Sequence, residues 1–253
     1  MDEPARYLAD HYQQLGDQRD DFRNINLYRL VIDQVRGQKV LDIGCGSGAL
    51  LDLLHGVGHE VFGIEPNAAL IEMAGRRNRD LTLFEGTGDL LAQLPHRFDT
   101  ITILDVLEHI EDDCGQIRLM HEALVDDGQL VVIVPAFPVL YGKRDENNGH
   151  FRRYRSRELK EKLTENGFVI RKCRYWNALG FPPYWISERL LRRELNTSLR
   201  GESRKNALQR FLVGMLQAWF RGVENRISFG FGLSLLVVAD KARPAAAMRD
   251  QAA

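Results

Sequence analysis

Three groups of residues in this chain combine types and spacings that can do chemistry. The first is Val40-Leu41-Asp42-Ile43-Gly44-Cys45-Gly46-Ser47-Gly48, an apolar run that breaks into alternating glycines. Glycine has no Cβ, so Gly44 and Gly46 allow a sharp turn and let a ligand approach the backbone N–H groups closely. The second is Glu65, 21 residues after Gly44 and followed by Pro66. A carboxylate there can accept two hydrogen bonds from a ribose diol. The third lies in two later stretches, Asp105-Val106-Leu107-Glu108-His109 and Gly149-His150-Phe151-Arg152-Arg153-Tyr154. A histidine titrating near ~6.5 can take a proton from an acceptor hydroxyl. His109 and His150 are therefore candidate catalytic residues, with Tyr154 a third from the same stretch. Each histidine has a competing structural role, in which its ring only hydrogen-bonds a loop.

These residues need elements to position them. Residues 39–43 read as a first strand, followed by a helix from 49 that Gly56 ends. Residues 60–64 read as strand two, with Asn67 capping the next helix. Residues 81–84 and 98–104 read as strands three and four. An amphipathic helix follows over 112–125, then a fifth strand over 129–134 that Pro135 stops. This rhythm implies a parallel sheet with helices on both faces. Beyond a loop at 136–155, Ser156 is expected to cap a helix that Gly167 closes. Strands six and seven are expected at 168–175 and 231–240. More than fifty residues separate those two strands, far more than a hairpin needs, so they form an insertion.

Composition bounds the class. The chain has 253 residues, 44% hydrophobic and 27% charged, as in an ordinary water-soluble domain. No apolar run reaches the ~18 residues of a membrane span, and the polar start MDEPARYLADHYQQ does not read as a signal peptide. Cys45, Cys114 and Cys173 are too few and too widely spaced for a disulfide framework or a cysteine-based zinc site. A cytoplasmic location is expected. The net charge of −1 hides an asymmetry: residues 1–142 carry −13 and residues 143–253 carry +12. The basic half is either a solvated face or a surface that meets something anionic.

The glycine turn alone does not select a cofactor. Read through Gly44, Gly46 and Ala49, it also fits a dinucleotide site. Asp42, Glu65 and the late strand seven, with no second catalytic domain for hydride transfer, tip the balance: a carboxylate two residues before the turn can face the amino group of an amino-acid moiety, whereas a ribose contact at Glu65 serves either cofactor. With them, VLDIGCGSG, VFGIEPN, FDTITILDVLEHIEDD and DGQLVVIVPA resemble the successive motifs of class I S-adenosylmethionine (SAM)-dependent methyltransferases. The resemblance covers about residues 38–175 and the last strand, and the motifs are specific as a set. It implies an α/β, Rossmann-like, seven-stranded sheet of order 3-2-1-4-5-7-6, with strand 7 antiparallel and a helical insertion between strands 6 and 7. It also implies SAM as cofactor. Asp42, Gly44, Cys45 and Gly46 would then face the methionine part, and Glu65 with Pro66 the ribose. Gly86 and Thr87 would lie by the adenine, although many relatives carry Asp where Thr87 stands. Asp105 and Val106 would lie near the point of methyl transfer.

Some methyltransferases with an E-x-x-E-H motif after strand four bind a divalent cation. Asp105, Glu108, His109 and the distant His150 raise that question here. DVLEHI is also frequent in relatives without metal, and no metal is expected. GHFRRY, NALGFPPYW and GLSLLVVADK resemble a bacterial branch linked to glycan or lipid pathways. Phe181-Pro182-Pro183-Tyr184 follows strand six and lacks a polar first residue, so it reads as a turn with aromatic packing rather than an amide-nitrogen methylation signature.

One domain is expected over 1–253. Residues 1–37 form an N-terminal helical cap, 38–175 the SAM-binding core, 176–228 the insertion, 229–241 the last strand, and 242–253 a disordered tail. In the insertion, Leu208, Phe211, Leu212, Met215, Leu216, Trp219, Phe220 and Val223 recur at helical spacing. That stripe packs on its own domain, or serves as a dimer face, an apolar substrate pocket or a peripheral membrane contact. A lid over an apolar or anionic acceptor is the expectation. The expected activity is methyl transfer from SAM to an O or N atom of a small-molecule or lipid-linked metabolite. The alternative is an RNA methyltransferase using the basic half, against which stands the lack of a recognisable RNA-binding module. A NAD(P) oxidoreductase and a SAM-binding protein without catalysis are weaker alternatives. Nucleic acid is not an expected partner; a homodimer is an open one.

Overall fold

Strands covered on both faces must be apolar on both, and the β1 strand (Lys39–Ile43) satisfies this with Val40, Leu41 and Ile43 all buried. The computed structural model of the chain describes residues 21–190 and 207–242. Residues 1–20 of the expected N-terminal cap, 191–206 of the insertion and the expected tail from 243 onward lie outside the described residues.

β1 pairs in parallel with β2 (Glu60–Glu65) on one side and β4 (Phe98–Leu104) on the other. The sheet continues through β3 (Thr82–Glu85), β5 (Leu124–Pro135), β6 (Phe168–Trp176) and β7 (Ser234–Lys241). Its order is β3-β2-β1-β4-β5-β7-β6, and β7 runs antiparallel to both of its neighbours. This is the expected Rossmann-like methyltransferase sheet. The helices α1 (Phe22–Ile32), α2 (Ala49–Gly56) and α3 (Ala68–Arg77) send apolar side chains into one core layer. The helix α4 (Asp113–Ala123) packs into the opposite layer. Lys143–Asn147 makes a short α5, and α6 (Ser156–Glu165) joins α4 through Leu159 and Leu163.

Several boundaries differ from expectation for local reasons. Asn67 caps α3 as expected, accepting from the Ala69 and Leu70 N–H groups. Asp112 caps α4 through the Gly115 N–H. Ser156 is instead the first helical residue of α6; extended Arg155 holds the cap position without a side-chain bond. Gly56 is still helical, and the left-handed glycine after α2 is Gly58. β5 starts at Leu124 rather than 129, because its register against β4 shifts between Phe98 and Thr100 and absorbs the extra residues. β7 starts at Ser234 rather than 231. Gly232 lies against the Trp176 backbone, where a Cβ would collide, and Phe231 turns toward other aromatic rings. FPPYW is a one-turn helix, α7 (Phe181–Trp185), rather than a turn. Its prolines sit in the first turn, where no N–H is needed.

The insertion's described part is α8 (Ala207–Trp219), continued by a wider turn over Phe220–Glu224. Its apolar stripe divides. Val213, Leu216 and Trp219 pack against the core, whereas Leu208, Phe211, Leu212 and Met215 are exposed. Fully buried Glu224 fastens the segment: its carboxylate accepts from the Ala178 N–H at 2.8 Å and the Trp219 Nε1–H at 3.0 Å. Glu224→Ala leaves both donors unpaired and is expected to cost about 2–4 kcal/mol. Glu224→Gln, which keeps an acceptor, is expected to cost less. Chemical denaturation checks both, and equal losses would contradict this account.

Candidate functional site

All strands except β7 end at one rim of the sheet, and the backbone there is held in unusual conformations. Gly44 and Gly46 after β1 have φ of +71° and +55°. A Cβ on Gly44 would collide with the Val106 side chain. Of four non-glycine residues with positive φ among the described residues, three lie immediately past strands at this rim. Asp105 follows β4 (φ 52°), Phe137 lies just beyond β5 (61°) and Asn177 follows β6 (65°). Such geometry costs on the order of 1–3 kcal/mol per residue and clusters at functional sites.

One cluster at this rim is built on two buried carboxylates, Asp42 and Glu65. Asp42 stands in register with Gly63 of β2 and Thr102 of β4, and the Thr102 hydroxyl donates to it at 2.6 Å. Burial lifts Asp42 to about 7, against the Thr102 hydrogen bond and helped by the nearby Glu65 charge. Glu65 closes β2. Its Oε2 accepts from the Gly46 N–H and its Oε1 from the Asn67 N–H, both at 3.0 Å. Burial also raises Glu65, while those two N–H groups pull it down. Each Glu65 oxygen has a second lone pair available. Among the described residues, no cation pairs with Asp42. A site that buries one carboxylate without a cation and presents another with spare acceptor capacity fits a ligand carrying an ammonium group and a diol. SAM meets both requirements, so these residues fit it.

The remaining expected contacts fall around that pair. Cys45 contributes backbone only: its buried thiol lies close to Gly63, and burial pushes it well above the usual thiol range. Pro66 is exposed. Gly86 (φ 153°) and exposed Thr87 follow β3, and the Thr87 hydroxyl donates to Asp89 Oδ2 at 3.1 Å. Asp89 thus brings a carboxylate beside Thr87, two residues from where the motif pattern sought one. Asp105 pairs with Arg23 of α1 at 3.0 Å, and Arg23 also donates to Ser234. Sequence reasoning missed Arg23, because nothing local links residue 23 to residue 105.

A second cluster forms where 149–154 crosses the turn after β4. The Phe151 N–H donates to the Glu108 carbonyl, and Tyr154 exchanges backbone hydrogen bonds with Pro135 and Phe137. The His109 and His150 rings meet edge to face, 4.6 Å between centroids. Burial, then the His150 neighbour, lowers His109 to about 4, so it is neutral near pH 7. His150 Nδ1 lies 2.8 Å from Asp145 Oδ1, and its Nε2 lies 3.9 Å from Glu108 Oε1. Asp145 is only 1% exposed and also accepts from Arg153 Nε and the Gly142 N–H. Burial opposes its ionisation, yet His150 and Arg153 hold it below the usual carboxylate range. Buried Arg153 continues the chain to the Tyr184 hydroxyl. Asp145 was missed because its partners stand five and eight residues away in a loop without periodicity.

Tyr154, the third candidate from the sequence, lies apart from the two histidine rings in its contacts. Its hydroxyl is fully buried, donates to Asp113 Oδ2 at 2.9 Å and lies 3.3 Å from the Leu107 carbonyl. Burial and the Asp113 charge raise it far above the usual phenol range. Its hydroxyl is committed to these contacts and anchors the loop. The four residues that raised the metal question are also only partly assembled. Glu108, His109 and His150 place ligand atoms within 4.8 Å of one another, whereas Asp105 is engaged by Arg23. Glu108 is 1% exposed, its Oε2 has no hydrogen-bond partner, and burial raises its carboxyl well above the usual range.

A family profile described as "Methyltransferase domain" matches residues 5–172. Among curated proteins, the chain is similar to ubiquinone biosynthesis O-methyltransferase of Pseudomonas syringae pv. tomato, 33% identical over 103 residues, 37% of this chain and 43% of that protein. It is also similar to the mitochondrial enzyme of that name from Schizosaccharomyces pombe, 32% identical over 103 residues, 38% of this chain and 37% of that protein. The chain thus spans about two fifths of the length of these relatives. Among solved structures, a SAM-dependent methyltransferase from Archaeoglobus fulgidus shares the fold with TM-score 0.59 at 20% identity, over 93% of this chain and 99% of that one. A putative methyltransferase solved with the Haloferax volcanii Trm112 activator gives TM-score 0.64 at 15% identity, over 96% and 99%.

The raised Asp42 makes a prediction about the unliganded protein. A carboxyl lifted from ~3.9 in the unfolded chain to about 7 in the fold keeps its proton longer when folded. Its contribution to stability is present at low pH and is lost as pH rises from about 4 to about 7. Asp42→Asn should therefore flatten the fall in melting temperature across that window. A pH profile identical to that of the unsubstituted protein would refute the assignment.

Proposed function

The chain belongs to the family of SAM-dependent methyltransferases, and from that premise we propose that it methylates a hydroxyl oxygen of a small or lipid-linked molecule, with His150 as the base. The observation that carries this reading is the Asp145–His150 hydrogen bond of 2.8 Å. It fixes Nδ1 as the protonated nitrogen and leaves Nε2 as a lone-pair acceptor on the Glu108 side of the rim. Asp145, itself held by Arg153 and the Gly142 N–H, is the positioning residue. It also stabilises the imidazolium that forms when Nε2 takes the acceptor proton. The ubiquinone O-methyltransferases among the relatives support oxygen as the acceptor atom. The alternative of RNA as acceptor gains no support from these residues, since the arginines of the crossing loop are engaged. Arg152 binds Asp113 and the Glu111 carbonyl, and Arg153 binds Asp145.

When bound, SAM supplies an electrophilic methyl group for in-line displacement. The protein aligns the reaction. The Gly44–Gly46 turn, with Asp42 behind it, would receive the methionine end, and Glu65 the ribose. Gly86, Thr87 and Asp89 would border the adenine, and Asp105 with Val106 the side facing the acceptor. Arg23 holds Asp105 in its left-handed conformation from outside.

A second reading follows from Glu108, whose buried, partnerless Oε2 stands beside two histidines. In it, Glu108, His109 and His150 Nε2 hold a divalent cation, and Asp145 is the outer carboxylate that orients the ligating ring. The two readings separate cleanly. With His150 as base, EDTA leaves turnover unchanged. With a cation, EDTA abolishes turnover and added divalent metal restores it.

Two substitutions test the main reading. Glu65→Ala is expected to weaken SAM binding by about 1.5–3 kcal/mol in calorimetry, the range for hydrogen bonds to a charged group. Unchanged affinity would remove the ribose assignment. His150→Ala, assayed with labelled SAM on an acceptor found by screening hydroxylated metabolites, should lower kcat by about 10²–10⁴. SAM affinity should be unchanged. Full turnover in that variant would exclude His150 as the base.

A further inference from the structure

The outer face of α8 has no role in the fold or at the site. Val213, Leu216 and Trp219 already pack the helix onto the core, and Phe220 behind them is buried. Leu208, Phe211, Leu212 and Met215 recur at the i, i+3, i+4, i+7 spacing of one helical face and are 66%, 64%, 40% and 57% exposed. Trp185 and Ile186, at the other described end of the insertion, are also exposed. Singly exposed apolar residues need no explanation, but a row on one helix face does.

Charge selects the occupant. Residues 203–223 contain Arg204, Lys205, Arg210 and Arg221 and no Asp or Glu, and residues 189–226 carry nine Lys/Arg against three Asp/Glu. A second copy of the chain, brought face to face, would set like charge against like. An anionic surface with an apolar interior suits the combination. No helix among the described residues is long and apolar enough to cross a membrane, so the contact is lateral.

We propose that the outer face of α8 docks on an anionic phospholipid bilayer. A succession of aromatic contacts links this helix to the rim. Trp219 stacks on Phe229, Phe229 meets Phe231, Phe231 meets Phe181, and Phe181 packs on Phe137 just beyond β5. This row of rings makes apolar contact continuous from the docking helix to the rim, which suits an acceptor with an apolar tail. That consequence rests on the methyl-transfer reading; the docking surface does not.

The test uses the full chain and two vesicle types, phosphatidylcholine alone and phosphatidylcholine mixed with phosphatidylglycerol. Co-flotation is expected with the mixed vesicles, weakened by salt, and not with phosphatidylcholine alone. Substituting both Phe211→Ser and Met215→Ser should reduce binding at least about tenfold. Melting temperature and SAM affinity, measured on the same sample, should not move. The proposal is overturned if the chain ignores mixed vesicles, or if the doubly substituted chain binds them equally well. It is also overturned if the double substitution only converts a dimer to a monomer in sedimentation, which would make the face a self-interface. Loss of SAM binding with vesicle binding intact would count against the methyl-transfer site alone.

Discussion

Parallel pairing of β1 with β2 on one side and β4 on the other is the constraint from which the rest follows. Parallel strands end together, so Asp42, Glu65 and Asp105 arrive at one rim although 63 residues separate the first from the last. Once there, the chain must turn away sharply from each strand. It does so through left-handed glycines after β1 and through Asp105, Phe137 and Asn177, which lack glycine's freedom. The surrounding contacts hold that backbone in place: Arg23 on Asp105, and Tyr175 and Phe181 against the Phe137 ring.

The two halves of the site use burial in opposite ways. Asp42 is buried beside another carboxylate with no cation paired to it among the described residues, which makes its ionisation costly and suits it to a positively charged ligand group. Asp145 is buried with a guanidinium and an imidazole against it, which keeps it ionised and makes it a rigid support. Glu108 is buried like Asp42, yet it stands against two histidines. Three acids of similar chemistry are thus buried against three different sets of neighbours, which set the ionisation of each.

Loop 149–154 turns side chains of one motif in different directions. GHFRRY does cross the rim, and its histidine lies beside His109 and Glu108. Its tyrosine faces inward, because the Ala136–Tyr154 bridge continues the β5 edge and directs that side chain to Asp113 beneath. Side chains on an extended segment alternate in direction, and the sequence does not say which of the two directions is the core.

The sequence by itself determined most of the elements, the left-handed turn after β1 and the carboxylates at the ends of β1 and β2; the order of the strands came from the family resemblance and is the one the sheet shows. The elements, the turn and the carboxylates depend on short-range rules: strand and helix periodicity, glycine where the backbone turns left-handed, and a carboxylate at a fixed distance from a strand end. Only the tertiary structure decided which distant residues contact those groups. Arg23 reaches Asp105 across 82 positions, Thr102 reaches Asp42 across 60, and Asp145 orients His150 from a loop without periodicity. The tertiary structure also divided the apolar stripe of α8 into a packed face and an exposed one. Periodicity reports that a face is apolar, but burial depends on what lies opposite, and that is a property of the folded chain.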